Sequence, residues 1–269
     1  ITKEDYEKRP DSRYLGNPLS IYGQLRYNLQ DRYSAIVTIE KDAGEKGADF
    51  ISWSLAAKET GIVDKLVIGS YTARFGQGMV LWNSFYSSSV WEPWQSMKRE
   101  QGIKEFTSSD ENIALKGVAA TFNMGSLTAT LMISRRRVDA RVTEEGYTSL
   151  LTTGLHNTKT LLERRGSLGI NMAALNIGYF GHKLKLSLSL CKDAGSIPYA
   201  GKGSVLINRE RHNSSIISNG GFDWRYANGR FIIYGEAAFD CTGSAGVVTG
   251  LNCRISENSL LSVRVDKVS

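Results

Sequence analysis

Residues 183–190 read Lys-Leu-Lys-Leu-Ser-Leu-Ser-Leu, so that Leu184, Leu186, Leu188 and Leu190 alternate with Lys183, Lys185, Ser187 and Ser189. A period of two places these sets on opposite faces of an extended strand; a helix, at 3.6 residues per turn, cannot keep the leucines on one side. The same pattern recurs along the chain. Ile21, Gly23, Leu25, Tyr27 and Leu29 oppose Ser20, Tyr22, Gln24, Arg26 and Asn28. Leu127, Ala129, Leu131 and Ile133 oppose Thr128, Thr130, Met132 and Ser134. Phe231, Ile233, Gly235, Ala237 and Phe239 oppose Tyr234, Glu236 and Asp240, and Leu261, Val263 and Val265 oppose Ser262, Arg264 and Asp266.

Turn-forming clusters separate these runs, at 28–32, 44–47, 123–126, 181–182, 228–229, 242–244 and 257–258. Short turns between consecutive strands make antiparallel hairpins. The reading is an all-β antiparallel meander of about 12 to 14 or more strands. Residues 62–75 and 168–180 are apolar on both faces in places, as expected of strands packed against a plug or a neighbouring element. The polar stretches at about 87–110 and 139–166 read as long loops. Residues 149–165 read as a short helix inside the second of them.

Composition fits an ordered chain. Of 269 residues, 22% are charged and 41% hydrophobic, with 27 Gly and only 4 Pro. No apolar run reaches the roughly 18 residues of a transmembrane helix. The charged start, ITKEDYEKRP, suggests a processed chain or a fragment of a longer barrel protein; residues 1–269 read as one domain. The net charge of +6 is spread out, and no nucleic-acid partner is expected. The one dense basic run, Arg135-Arg136-Arg137, reads as a solvated strand end, with a phosphate-binding patch as the sharper alternative. Cys191, Cys241 and Cys253 lack metal-ligand spacing and read as small strand residues.

A soluble β-sandwich also alternates, so two-faced strands alone do not decide the environment. Three features favour a transmembrane β-barrel with long loops on one side. The runs are about 9 to 11 residues long, enough to cross a bilayer at a tilt. Ionisable residues sit in mid-strand on the polar face: Arg26, Glu40, Glu236, Arg254 and Arg264. A polar lumen accepts them and a dry inter-sheet core does not. Aromatics fall near strand ends, among them Trp82, Trp91, Trp94 and Trp224, where an interfacial girdle would place them.

The stretch Tyr71–Trp82, YTARFGQGMVLW, resembles a motif of large outer-membrane barrel proteins of Bacteroidetes that carry helix-hairpin-helix repeats ahead of the barrel. The segments HNTKTLLERR (156–165) and Arg230–Arg264 are similar to parts of the same family. The resemblance implies the barrel region only, since no helix-hairpin-helix repeat is present, and it implies location in the bacterial outer membrane rather than an activity.

No catalytic, cofactor or metal site is expected. Gly76-Gln77-Gly78 is followed by the strand-like Met79–Trp82 and not by a helix, so it reads as a glycine kink in the barrel wall rather than a phosphate loop. His212-Asn213-Ser214 and His156-Asn157 hold the residue types of a hydrolase, but neighbours on a strand point to opposite faces. His156 reads as a loop histidine, and Asp110-Glu111 and Glu144-Glu145 as solvated loop charge. Trp91-Glu92-Pro93-Trp94 reads as a membrane-interface anchor.

The leading expectation is a pore, transport or assembly barrel whose lumen charges are Arg26, Glu40, Arg136, Glu236, Arg254 and Arg264. The alternatives are a structural or partner-anchoring subunit of an outer-membrane complex and a soluble secreted β-sandwich binder. Expected partners are outer-membrane lipid and other outer-membrane or periplasmic subunits.

Overall fold

A computed structural model describes residues 13–83, 96–200 and 215–268. Fifteen strands and one short helix lie in these residues. They are β1 (Ile21–Leu29), β2 (Tyr33–Lys41), β3 (Phe50–Thr60), β4 (Val63–Arg74), β5 (Gly102–Glu105), β6 (Leu115–Met124), β7 (Leu127–Val138), β8 (Ala140–Thr143) and β9 (Gly146–Leu150). Helix α1 (Lys159–Glu163) follows, then β10 (Leu168–Phe180), β11 (Leu184–Gly195), β12 (Ile216–Asn228), β13 (Phe231–Asp240), β14 (Ala245–Ser256) and β15 (Ser259–Val268).

The main sheet runs β1-β2-β3-β4-β6-β7-β10-β11-β12-β13-β14-β15, every pair antiparallel, with β5 added beside β4. Strands β8 and β9 form a separate hairpin. This is the expected all-β meander. The connections alternate in length: β1–β2, β3–β4, β6–β7, β10–β11, β12–β13 and β14–β15 are joined by two or three residues, and most of the remaining connections are much longer. One end of the sheet therefore carries tight turns and the other carries the long loops.

The two faces of the wall are inverted relative to a soluble domain. On β11, Lys185, Ser187 and Ser189 are buried while Leu184, Leu188 and Leu190 are exposed. On β7, Thr130 and Ser134 are buried while Leu131 and Ile133 stand outward, Ile133 at 67% exposure. Thr38, Ser52 and Ser54 repeat the inner pattern on β2 and β3, with Val37, Ile39, Ile51, Trp53 and Leu55 outside. In water each outward side chain of this size forgoes about 1.5–3 kcal/mol of burial. An apolar surroundings removes that penalty.

The sheet curls around one of its own connections. Near Gly69 the upper half of β4 leaves β3, and β5 takes the vacated place beside it. Gly69 has φ +100, and a Cβ there would stand 2.4 Å from the carbonyl oxygen of Trp53. Beyond this bend Ser70, Tyr71, Thr72 and Ala73 are all buried, on both faces of the strand. The inserted segment, 70–83 and 96–107, reaches both ends of the strand order. Gln24 of β1 donates from Nε2 to the Thr107 carbonyl (3.0 Å), and Arg264 of β15 donates from Nη1 to the Ser96 carbonyl (2.9 Å). A sheet whose first and last strands both touch a stretch of a dozen residues must be curved into a barrel-like wall. No pairing joins β1 to β15 among the described residues.

Several expectations change here. The long loop at about 87–110 holds β5, and the one at about 139–166 holds β8, β9 and α1, with the helix confined to Lys159–Glu163. The apolar face of residues 62–75 is explained by the insertion. Cys241 lies in the exposed β13–β14 turn and not in a strand, and all three cysteines are free.

Candidate functional site

The interior divides into an apolar half and a polar half. Tyr71, Ala73, Phe75, Leu81 and Ile103 of the insert form one core with Val67, Leu115, Ala119, Met132, Met172, Ala174 and Cys191 of the wall. The expected polar lumen is therefore filled by side chains along β4, β6, β7, β10 and β11.

On the polar half the insert is seated by charge. Residues 73–83 fold back on themselves, with the Phe75 amide donating to Leu81 O and the Asn83 amide to Ala73 O. The turn of this hairpin, Gly76–Val80, presents three amides to one side chain, while the Gly76 amide donates to Glu100 Oε2 (3.3 Å). Glu236 of β13 accepts from Gln77 N (2.6 Å) and Met79 N (3.1 Å) through Oε2, and from Val80 N (3.2 Å) through Oε1. Only 2% of Glu236 is exposed. Successive backbone N–H groups converging on a carboxyl form a nest, and both oxygens of Glu236 act as acceptors. Gly76 (φ +58) and Gly78 (φ +80) allow the turn, and a Cβ on Gly76 would meet Glu236 Oε2 at 2.8 Å. These glycines thus lie inside the barrel on the insert, which corrects the expectation of a kink in the wall.

Further seats follow around the wall. Lys185 of β11 pairs with Asp223 of β12 (2.8 Å) and with Glu100 of the insert, and Asp223 also accepts from Ser187 (2.5 Å). Lys65 of β4 pairs with Glu105 (2.8 Å), which accepts from Ser34 (2.6 Å). Ser96 accepts from Tyr234 (3.0 Å), donates to Asn252 (2.9 Å) and meets Ser262 at 2.5 Å.

The six residues expected to face the lumen divide by environment. All share the inner face of the wall, since Arg26, Glu40, Arg136, Glu236, Arg254 and Arg264 have the strand parity of buried Thr38, Ser134 and Asn252. Glu236 holds the insert. Arg136 is largely buried and donates to Asn112 O (2.9 Å). Strand alternation turns its neighbours Arg135 and Arg137 outward, where both are exposed. Arg26 and Arg254 are exposed, and Arg264 and Glu40 are half-buried. Among the expected interfacial aromatics, Trp224 stands on the outer face stacked on Phe222 (6.1 Å between ring centres). Trp82 does not: it is carried on the insert, bridged to Arg74 and with Lys98 Nζ 5.0 Å from its ring centre. Trp91, Trp94 and His212 lie outside the described residues.

At the long-loop end is a cluster that sequence reasoning missed. His156, 3% exposed, offers Nδ1 to Asp49 (2.5 Å) and Nε2 to Asp139 (2.6 Å). Glu45 accepts the His156 amide (2.7 Å), and Glu111 stands 4.0 Å from Nδ1. A neutral imidazole has one N–H; two carboxylate partners require two, so the ring is an imidazolium. Burial alone would lower its pKa, but the bonds to Asp139 and Asp49 outweigh this and lift it to about 10. Burial likewise pushes the Asp49 and Asp139 carboxyls up, yet the His156 bond leaves both below their ordinary value. Glu111 lacks such a bond; burial, then the Asp49 charge, raise it to about 7. This replaces the reading of His156 as a plain loop histidine and of Glu111 as solvated charge.

Two triads, Glu45/Asp49/His156 and Glu111/Asp139/His156, bring ligand-type atoms within 4.8 Å of one another. Both ring nitrogens meet carboxylates, which makes the arrangement an imidazolium salt bridge.

No family model matches the chain, and neither does any curated protein sequence. Among solved structures it is similar to OmpT, an outer membrane protein of Vibrio cholerae, in two forms. The trimer form gives a TM-score of 0.36 at 9% identity, covering 93% of this chain and 80% of that one. The other gives 0.35 at 9% identity over 91% and 76%. A mutant of Rh. blastica porin gives 0.31 at 9% identity over 93% and 84%. The fold assignment stands on the strand order and the inverted faces rather than on these scores.

Proposed function

We propose that this chain is an outer-membrane β-barrel of bacteria that passes small charged solutes through the part of its interior left open by the insert. The observation that carries the membrane reading is the inversion of the wall, with serines, threonines and Lys185 buried and leucines, isoleucines and Trp53 outside. A β-sandwich in water has the opposite arrangement. Tyr27, Tyr33, Tyr179, Tyr226 and Phe231 lie close to the tight-turn end, as an interfacial girdle would. The likeness of residues 71–82 to the helix-hairpin-helix barrel proteins of Bacteroidetes is part of the same proposal.

The permeation reading rests on the inner-face residues that stay accessible. Near β1, β14 and β15 these include Arg26, Arg254 and Arg264, with Asp266 as the exposed counter-charge. The three guanidiniums outnumber Asp266 and the half-buried Glu40 of the same face, and this net positive charge favours anions through the field it creates. The test is the reversal potential of the reconstituted protein in planar bilayers under a salt gradient. The wild type is expected to prefer anions, and the triple variant Arg26→Glu, Arg254→Glu, Arg264→Glu to lose or reverse that preference. Unchanged selectivity would remove the permeation role from these residues.

A further inference from the structure

The rim cluster joins parts of the chain that are far apart in sequence, and it adjoins the insert at two points. Asp49 precedes Phe50, whose ring meets Phe106 of the insert edge-on at 6.3 Å between ring centres. Phe106 in turn donates its amide to Ser70 O at the bend in β4. Glu111 lies on the connection from the insert to β6, beside Ile113, whose carbonyl accepts from Asn83 of the inserted hairpin (2.8 Å). Asp139 follows β7 and also accepts the Gly166 amide (2.7 Å), while Arg165 donates to Asp49 O. One ring therefore holds the β2–β3, β7–β8 and β9–β10 connections together over the place where the insert enters and leaves.

We propose that His156, shared as an imidazolium between Asp49 and Asp139, latches the long-loop rim over the insert, and that charging Glu111 loosens this latch. The charged groups acting on the ring and its carboxylates are Asp42, Glu45 and Asp49 from the β2–β3 connection, with Lys41 beside Asp42, Glu111 from the β5–β6 connection, Asp139 after β7, and Arg165 after α1. Carboxylates outnumber cations, so one more negative charge at Glu111 adds repulsion that a single ring cannot offset.

The sign of the pH response follows from the direction of each shift. Glu111 is raised from 4.5 to about 7, so its contribution is complete below about 4.5 and is lost as pH rises through about 7. His156 is raised from 6.5 to about 10, so its contribution is complete below about 6.5 and lost through about 10. Asp49 and Asp139 are lowered from 3.8, and their contribution is lost only in stronger acid. The rim is thus tightest in mild acid and loosens in two steps toward alkali, the first set by Glu111.

The test uses the full chain folded in detergent micelles. Proteinase K cleavage within 139–167 is timed between pH 5.5 and 6.5, below the window in which the His156 contribution is lost, and normalised at each pH to a denatured substrate. Wild-type cleavage is expected to rise roughly tenfold across this range, the response of Glu111 to about one pH unit lying between its ordinary 4.5 and its raised value of about 7. Glu111→Gln is expected to stay near the acid rate throughout, and His156→Gln to be cut quickly at both ends of the range. Nitrogen NMR of 15N-histidine protein at pH 8 should show one histidine with both ring nitrogens protonated, absent from His156→Gln. A flat wild-type profile, a Glu111→Gln profile with the wild-type rise, or a neutral His156 at pH 8 would overturn the proposal. If His156→Gln does not fold, the cleavage profiles of the wild type and Glu111→Gln decide the matter, with the NMR signal assigned through its response to Asp139→Asn.

Discussion

Replacing Glu236 by Ala should release the turn of the inserted hairpin while leaving the wall in place. The side chain is 2% exposed and receives three backbone N–H groups, from Gln77, Met79 and Val80. A hydrogen bond to a charged group contributes about 1.5–3 kcal/mol, but such terms are not additive and the carboxylate also loses hydration when buried. Glu236→Ala removes the carboxyl itself and leaves neutral amides behind, and a buried donor left unsatisfied costs about 1–3 kcal/mol. At about 1.4 kcal/mol per factor of ten, docking of the turn should weaken by roughly 5- to 150-fold. Residue-resolved hydrogen exchange on the detergent-folded protein reads this directly. The amides of 77, 79 and 80 should lose most of their protection, whereas those of β10 and β11 should keep theirs. Glu236→Gln, which keeps one acceptor oxygen and loses the charge, should fall between. Glu257→Gln, on an exposed turn, should change nothing. Unaltered protection of residues 77–80 in Glu236→Ala would refute the assignment of Glu236 as the seat of the insert.

Two other substitutions probe the wall. Gly69→Ala introduces a Cβ 2.4 Å from the Trp53 carbonyl at a φ of +100, so it should cost about 1–3 kcal/mol and lower the temperature at which the folded form is lost on gels. Ile133→Arg should separate membrane from water: at 67% exposure in water it should change stability by less than about 0.5 kcal/mol, but on a lipid-facing wall near mid-bilayer it should cost about 2–4 kcal/mol, measured by denaturant titration in vesicles.

The wall was legible in the sequence because alternation is a local signal. Leu184 to Leu190 and Phe231 to Phe239 assign their own faces without reference to any other part of the chain. The length contrast between tight turns and long loops is local too. The insert was only hinted at, by the loss of alternation in 62–75, since a strand buried on both faces has no period to display. The seats were not legible. Glu236 and the Gln77 amide are 159 positions apart, and the acceptor role of Glu236 is fixed by backbone amides that any residue types could supply. Gly76-Gln77-Gly78 advertised an unusual turn, but not whether it lies in the wall or inside it. His156 gave still less warning, since Asp49 and Asp139 come from other loops, 107 and 17 positions away. The only advance signal was a carboxylate-rich set of connections at one end of the meander.

The central claim is that the leucine-lined outside of this wall faces lipid and encloses an insert seated on polar and charged side chains along part of the interior. The most direct test is membrane fractionation of the expressed chain, with gel mobility of the extracted protein compared before and after boiling. The account predicts outer-membrane partition and a mobility shift on heating, as a folded barrel resists detergent until it is boiled. A chain recovered in the soluble fraction, with the same mobility in both samples, would contradict it.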